Sequence, residues 1–340
     1  MKNLLILCGG QSPEHVISIR STKNVLGAID RTKYQVMIIG ISELGEWRLL
    51  KEDELANTVT SQEGSPVTIH PGYDHCFFCD SQPLSRPDVV FPVLHGPNGE
   101  DGAIQGMLRL LGLPFVGSGI LGSAACMDKD VTKRLLRDSG IQVADWILIH
   151  KGEKVPDYNV IAKQLGKVVF VKPANMGSSV GVHRVSNETE WVNGIKDALI
   201  YDQKVLVERN VTGRELECGV LGNDSPVTTG VGEVRSGNFY SYTEKYDGDS
   251  QAEIVIPADI DSKFLSILKE TALKAYRTLN CNGMSRVDMF LTPDGKVYVN
   301  EINTIPGFTS ISMYPKLWEK EGISYSDLID RLIELAIELK

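Results

Sequence analysis

The stretch Ser285-Arg286-Val287-Asp288-Met289-Phe290-Leu291-Thr292-Pro293-Asp294-Gly295-Lys296-Val297-Tyr298-Val299-Asn300-Glu301-Ile302-Asn303 reads as two strands joined by a turn. Thr292-Pro293-Asp294-Gly295 has the right turn chemistry, with proline fixing one φ and Asp-Gly tolerating the tight backbone. Centring the turn on Pro293-Asp294 pairs Thr292 with Gly295, which sets Arg286 opposite Glu301 and Asp288 opposite Val299. Strand side chains alternate, so Arg286, Asp288, Glu301 and Asn303 share one face, and Val287, Met289, Asn300 and Ile302 the other. Two carboxylates and an amide oxygen form a hard, oxygen-only donor set, which suits Mg²⁺ bound together with phosphate oxygens. The bland alternative is a solvated polar face with an Arg–Glu pair. A slip of one residue would scatter the set, so the metal reading depends on the turn.

Upstream, Val168-Val169-Phe170-Val171-Lys172-Pro173-Ala174-Asn175-Met176-Gly177-Ser178-Ser179-Val180-Gly181 delivers a lysine from an apolar strand into a loop of glycines and serines. Backbone N–H groups and hydroxyls in such a loop can cradle phosphate, and Lys172 adds a point charge. An ordinary hairpin loop is the plain alternative. Gly177-Ser178-Ser179-Val180-Gly181 also fits the GxSxG pattern of serine hydrolases, but that motif needs a strand–turn–helix, and Val182-His183-Arg184-Val185 reads as a strand. The chain has no GxxxxGK[ST] loop and no GxGxxG after its first strand, so a nucleotide site must be of another design.

The remaining glycine-rich loops also follow strands. Gly9-Gly10-Gln11-Ser12-Pro13-Glu14-His15 places Glu14 at a strand's carboxyl end, where α/β sheets bind ligands. Glu14 could receive an ammonium group, or simply complement a helix dipole. His95-Gly96-Pro97-Asn98-Gly99-Glu100-Asp101-Gly102 lets backbone approach a small ligand, or is a plain turn. Thr304-Ile305-Pro306-Gly307-Phe308-Thr309-Ser310-Ile311-Ser312 follows the hairpin; Gly307 can present a bare N–H, and Ser310 or Ser312 can bind a carboxylate.

Around these motifs, strands are expected at residues 3–8, 34–41 and 89–94, with helices at 18–29 and 104–111, a βαβ pattern with a parallel sheet. Residues 52–87 read as an irregular polar excursion with short strands, and the four glycines and one proline of residues 112–122 as a domain junction. Helices follow at 128–139, 159–165, 188–198 and 261–279, among strands at 146–150, 168–172, 182–185, 205–208, 217–221, 228–234 and 254–256. Leu328, Ile329, Leu332, Leu335, Ala336 and Leu339 recur at helical spacing.

The 340 residues are 42% apolar and 23% charged, ordinary for a globular chain, with room for two or three compact units. A net charge of −9 argues against nucleic acid, and the one basic stretch, residues 129–137, reads as a helix surface. No segment has the apolar length of a transmembrane helix, the first strand is too short for a signal peptide, and six scattered cysteines fit a reducing cytoplasm. Cys76-Phe77-Phe78-Cys79 has CxxC spacing, but without a second pair a hairpin is preferred to a zinc or redox site.

Taken together, GGQSPEH, LHGPNGEDGAIQG, ACMDKDVTKRLL, VKPANMGSSVGV, EKY, SRVDMFL and NEINTIPGFTSISMYPKLW resemble the bacterial D-alanine–D-alanine ligases of the ATP-grasp superfamily, over nearly the whole chain. The resemblance implies an α/β chain: an N-terminal parallel-sheet domain (1–120) followed by a two-part α+β ATP-grasp domain (121–208 and 209–340), with a lid at residues 236–250. It implies ligation of two D-alanines through a D-alanyl phosphate for peptidoglycan precursors, with ATP as co-substrate and two Mg²⁺ or Mn²⁺ ions, in a cytoplasmic homodimer. Lys129, Lys172 and Lys245 would contact phosphates, Glu208 adenine and Glu215 ribose, while Asp288, Glu301 and Asn303 would hold the ions. Glu14 would take the first D-alanine's ammonium, with His95 nearby. Ser178 and Tyr246 would join Glu14 in a hydrogen-bonded latch. Arg286 and the Gly307 N–H would form the oxyanion hole, and Ser312 would hold the second D-alanine's carboxylate.

The chain departs from the family pattern in two places. Met176 stands where a polar residue is usual, and His15-Val16-Ile17-Ser18 where Glu-Val-Ser is usual. Ligation to D-serine or D-lactate is the near alternative; Glu244-Lys245-Tyr246 argues against D-lactate, and the D-serine relatives, which share that lid motif, carry arginine near the position of Met313. A serine hydrolase acting through Ser179 and a non-catalytic nucleotide-binding protein are the distant ones.

Overall fold

The computed structural model describes residues 1–235 and 253–339. The expected lid, with Lys245 and Tyr246, lies outside the described residues.

Leu4, Leu5, Ile6 and Leu7 are all fully buried, because the Lys2–Gly9 strand is covered on both faces, as parallel strands are. It runs parallel to Tyr34–Ile41 and Val89–Pro92. The His15–Ala28 helix begins three residues earlier than the sequence indicates, so the loop carrying Glu14 is short. Residues 52–87 are more regular than expected. Ser65–Ile69, Phe77–Cys79 and Gln82–Pro83 join Trp47–Leu50 in an antiparallel extension that makes a seven-stranded sheet. Cys76 is buried there and Cys79 half-buried, both as free thiols.

A second sheet has four antiparallel strands, in the order His183–Val185, Val169–Pro173, Lys204–Arg209 and Trp146–His150. The Lys129–Asp138 helix begins at Asp128, whose carboxylate accepts from the Asp130 and Val131 N–H groups and satisfies otherwise orphaned donors. A third sheet has five antiparallel strands, in the order Glu253–Val255, Val227–Arg235, Arg214–Leu221, Met284–Leu291 and Val297–Asn303. The Ser262–Thr278 helix, capped by Asp261, covers one face of it through Leu268, Ala272, Ala275 and Tyr276. The other face is left for the site.

Besides the Trp47–Leu50 strand, two helices escape the sequence reading. Ile120–Met127 is a helix hidden by glycines, and Gly122 is required there because a Cβ would stand 2.5 Å from the Asn280 carbonyl oxygen. Met313–Lys320 is a short helix behind the Gly307 loop. The last helix, Tyr325–Glu338, buries Leu328, Ile329, Leu332 and Ile333 in one core with Leu4, Ile6, Val89 and Phe91, tying the chain's end to the first sheet.

Candidate active site

The hairpin register differs from the sequence reading, and the reason is local. Thr292 N–H donates to the Lys296 carbonyl and Gly295 takes φ +80, so the turn holds one residue more than expected and Leu291 pairs with Val297. That shift alone would turn Glu301 onto the core face. A bulge between Asp288 and Met289 reverses it: Met289 pairs with Val299, but Asp288 pairs with Glu301 and Arg286 with Asn303. Asn300 is the extra residue. The expected pairs Arg286–Glu301 and Asp288–Val299 are therefore corrected. Arg286, Asp288, Glu301 and Asn303 still line the cavities on the site side, whereas Asn300, expected on the opposite face, lines the site as well.

Arg286 holds Asp288 with two hydrogen bonds of 2.7 Å and lies 2.8 Å from Glu217, the residue opposite Asp288 on the neighbouring strand. Burial opposes its charge, but Asp288 and Glu217 outweigh burial and raise its pKa well above the ordinary arginine range. Asn303 Nδ2 donates to Asp288 at 3.1 Å. Asp288 and Glu301 face one another with an amide beside them, an oxygen donor set that fits Mg²⁺ shared with phosphate and water. Among the described residues no cluster of three His, Cys, Asp or Glu side chains could hold a metal by itself.

One cavity is lined by Lys129, Lys172, Glu208, Glu215, Phe170, Val211, Asp288, Asn300 and Glu301. Lys172 Nζ donates to Glu208 at 2.8 Å and to Asn300 Oδ1 at 3.4 Å. Lys129 Nζ donates to the Met176 carbonyl at 2.6 Å and stands 4.0 Å from Glu301. Met176 thus contributes its backbone carbonyl. Lys133 contradicts the reading of residues 129–137 as surface: it is 1% exposed and its Nζ lies 3.2 Å from Glu208. Its spacing of four from Lys129 put both on one helical face and was the signal to use. Burial would raise the Glu208 pKa, but Lys133 and Lys172 hold it at about 2, so the carboxylate stays ionised.

The adjoining cavity is lined by Glu14, His95, Glu100, Glu217, Arg286, Gly307, Ser312 and Met313, among others. Glu14 is buried and accepts a hydrogen bond from Ser178 Oγ. Two glycines make room for it: a Cβ on Gly96 or on Gly177 would stand 2.6 Å from Glu14 Oε2. Ser178 and Ser179 both take left-handed φ, +49 and +61, which points the loop at Glu14 rather than into a helix. The His183–Val185 strand follows, a context that does not suit a hydrolase elbow. His95 Nδ1 contacts the Ile305 carbonyl at 3.1 Å, which can only accept, so the proton sits on Nδ1 and Nε2 accepts from Ser21 Oγ at 3.0 Å. Burial lowers the His95 pKa to about 4 and keeps the ring neutral. Ser312 Oγ accepts from the Thr309 N–H at 3.0 Å and lies where a Cβ on Gly307 would be 2.8 Å away. Glu100, not singled out from the sequence, accepts from the Gly96 N–H at 2.7 Å; burial and the nearby Glu14 raise its pKa to about 8.

The two cavities share Gly177, Ser178, Glu217, Val234 and Glu301. A cation-lined chamber and a small polar chamber therefore meet at the glycine–serine loop and the carboxylate hairpin. Of the site residues expected from sequence, Lys245 and Tyr246 alone lie outside the described residues.

The chain matches the family models described as "D-ala D-ala ligase N-terminus" over residues 3–118 and "D-ala D-ala ligase C-terminus" over residues 135–334. It is 49% identical to the "D-alanine--D-alanine ligase" of Proteus mirabilis, over 98% of this chain and 94% of that protein. Among solved structures, it resembles the D-alanine-D-alanine ligase from Coxiella burnetii (TM-score 0.86, 39% identity, covering 100% of this chain and 96% of that one). It also resembles the VanG D-Ala:D-Ser ligase from Enterococcus faecalis (TM-score 0.87, 36% identity, covering 98% of this chain and 99% of that one).

Proposed function

The chain belongs to the D-alanine–D-alanine ligase family, and we propose that it joins two D-alanine molecules into D-alanyl-D-alanine, converting ATP to ADP and phosphate. The observation that carries this reading is the junction of the two chambers at Ser178 and Glu301, where a terminal phosphate and a carboxylate can be brought together.

A carboxylate is a poor electrophile. In the proposed reaction the first D-alanine's carboxylate oxygen attacks the γ-phosphorus and ADP leaves, giving an acyl phosphate. The second D-alanine's amine attacks the acyl carbon, phosphate leaves with the C–O bond, and the amine loses its proton. Lys129 and Lys172 supply positive charge along the phosphates, and Lys245 is assigned the same role by resemblance. Glu208, kept ionised, would accept from the adenine amine, and Glu215 from ribose. Asp288, Glu301 and Asn303 would hold two Mg²⁺ or Mn²⁺ ions, which neutralise phosphate charge when bound. Glu14 would take the first ammonium; the neutral His95 shapes that pocket and does not compete for charge. Arg286 and the Gly307 N–H would stabilise the tetrahedral oxyanion, and Ser312 would hold the second carboxylate. Tyr246 would complete a latch with Ser178 and Glu14. No helix among the described residues is long and apolar enough to cross a membrane; a cytoplasmic homodimer serving peptidoglycan precursor synthesis belongs to the same proposal.

Ligation to D-serine is a second reading, favoured by the close match in fold to a D-Ala:D-Ser ligase. Phosphate release and product identity, measured with D-alanine alone and with added D-serine or D-lactate, decide between them. D-alanyl-D-alanine as the main product supports the first reading. ATP binding without D-alanine-stimulated phosphate release would refute both.

A further inference from the structure

Gly232 has no backbone reason to be glycine. It lies within the Val227–Arg235 strand and is not among the glycines with positive φ. Its pairing opposite Glu217 puts it on the sheet face that lines the site. A Cβ there would stand 2.3 Å from the Met313 sulfur, 2.9 Å from Met313 Cε and 3.4 Å from Ile256. The thioether of Met313 therefore lies across Gly232, in the space a side chain at 232 would fill.

Met313 is 4% exposed, immediately follows Ser312, and lines the same chamber as Ser312, Gly307, Val234 and Ile254. We propose that Gly232 determines acceptor specificity: by leaving the sheet bare it lets Met313 lie flat, and so sets the room beside Ser312 for the side chain of the second D-amino acid. This rests on the ligase reading above and names the residue that sizes its acceptor subsite. Gly232 touches no substrate in this scheme; it acts through Met313, as a positioning residue. The thioether has three rotatable bonds and can be displaced without unfolding the strand. Ile256 and the paired Glu217 strand close the sheet side, leaving the chamber as the direction for displacement.

The test is steady-state dipeptide formation by the full chain with ATP and D-alanine as donor, against the acceptors D-alanine, D-serine and D-2-aminobutyrate. Gly232→Ala is expected to raise the acceptor KM by about tenfold or more, the scale of an overpacked contact, with the largest effect for D-2-aminobutyrate. The KM values for ATP and for the donor D-alanine should stay within about twofold. Adding Met313→Ala to Gly232→Ala should restore acceptor use to that of Met313→Ala alone, because no thioether remains to be displaced. Met313→Ala alone should shift preference toward D-2-aminobutyrate, a readout that holds even if Gly232→Ala folds poorly. Equal losses for donor, ATP and acceptor, a double variant no better than Gly232→Ala, or an unchanged acceptor preference in Met313→Ala would each overturn the inference. Wild-type protein that releases no phosphate in response to D-alanine would instead defeat the ligase reading.

Discussion

Asp288 stands directly opposite Glu301 across the C-terminal hairpin, one step beyond a bulge that leaves Asn300 unpaired in the ladder. The bulge lets both Asn300 and Glu301 reach the site, while Val299 and Ile302 on either side are buried in the core. The charge of the two carboxylates is what an ion would require. Asp288→Asn and Glu301→Gln, which keep volume and remove charge, should each nearly abolish turnover and leave the circular dichroism spectrum unchanged. Near wild-type rates for either variant at ordinary Mg²⁺ would refute the metal assignment.

This hairpin also shows how far the sequence could be read. Alternation placed Arg286, Asp288, Glu301 and Asn303 on one face, and they do share it, but through two compensating errors. The turn is longer by a residue and the strand carries an extra one; neither Gly295 nor Asn300 announces which loop length it serves. Long apolar strands and capped helices were legible because burial and capping leave marks in a single segment, as at Leu4–Leu7 or Asp261. Glu100 and Glu217 were not legible as site residues, since their roles depend on partners more than 70 residues away or on adjacent strands. The same holds for Ile120–Met127, where glycine content spoke for a domain junction, whereas Gly122 serves a helix that passes close to the Asn280 carbonyl.

Arg286 joins Asp288 and Glu217 through its planar fork. Lysine would keep the charge and lose that geometry. Arg286→Lys should lower kcat by roughly 10²–10³, the usual consequence of losing an oxyanion donor, with little change in the KM for ATP. A variant impaired only in ATP binding would move Arg286 from the oxyanion site to the nucleotide site.

Lys133 and Glu208 form a buried pair, with Lys172 on the second carboxylate oxygen. Lys133→Met keeps the volume but strips one counter-charge from a buried carboxylate, which should destabilise the fold by about 3–5 kcal/mol in urea denaturation. The pH dependence has a definite sign. The Glu208 pKa is depressed from 4.5 to about 2, so its contribution is fully present above pH 4.5 and is lost as pH falls toward about 2. With Lys133 gone the folded pKa rises toward the unfolded value, so the stability that Glu208 gives up between pH 4.5 and about 2 should be smaller than in wild type. Identical acid limbs in the two proteins would mean that Lys172 alone fixes the Glu208 charge.

Gly177 separates the clasp around Glu14 from the phosphate-facing side of the same loop. Its φ is not left-handed, so alanine at this position is not strained by backbone conformation. The obstacle is steric: the new Cβ would stand 2.6 Å from Glu14 Oε2. The carboxylate must then swing away from the loop, weakening its hydrogen bond from Ser178 and moving the proposed ammonium contact. A displaced hydrogen bond to a charged group is worth about 1.5–3 kcal/mol, so Gly177→Ala should raise the KM for the first D-alanine by roughly ten- to a hundredfold. Glu14→Gln should produce a loss of the same kind, because it removes the charge the ammonium needs. ATP binding, measured in the absence of D-alanine, should change little in either variant, since Lys129 and Lys172 reach the nucleotide chamber independently of Glu14. Gly96→Ala adds left-handed strain at φ +76 to the same 2.6 Å clash and should therefore be the more damaging of the two glycine variants, in stability as well as in KM. If Gly177→Ala loses ATP binding while keeping its D-alanine KM, the loop serves the phosphates alone, and Glu14 is not the ammonium receptor.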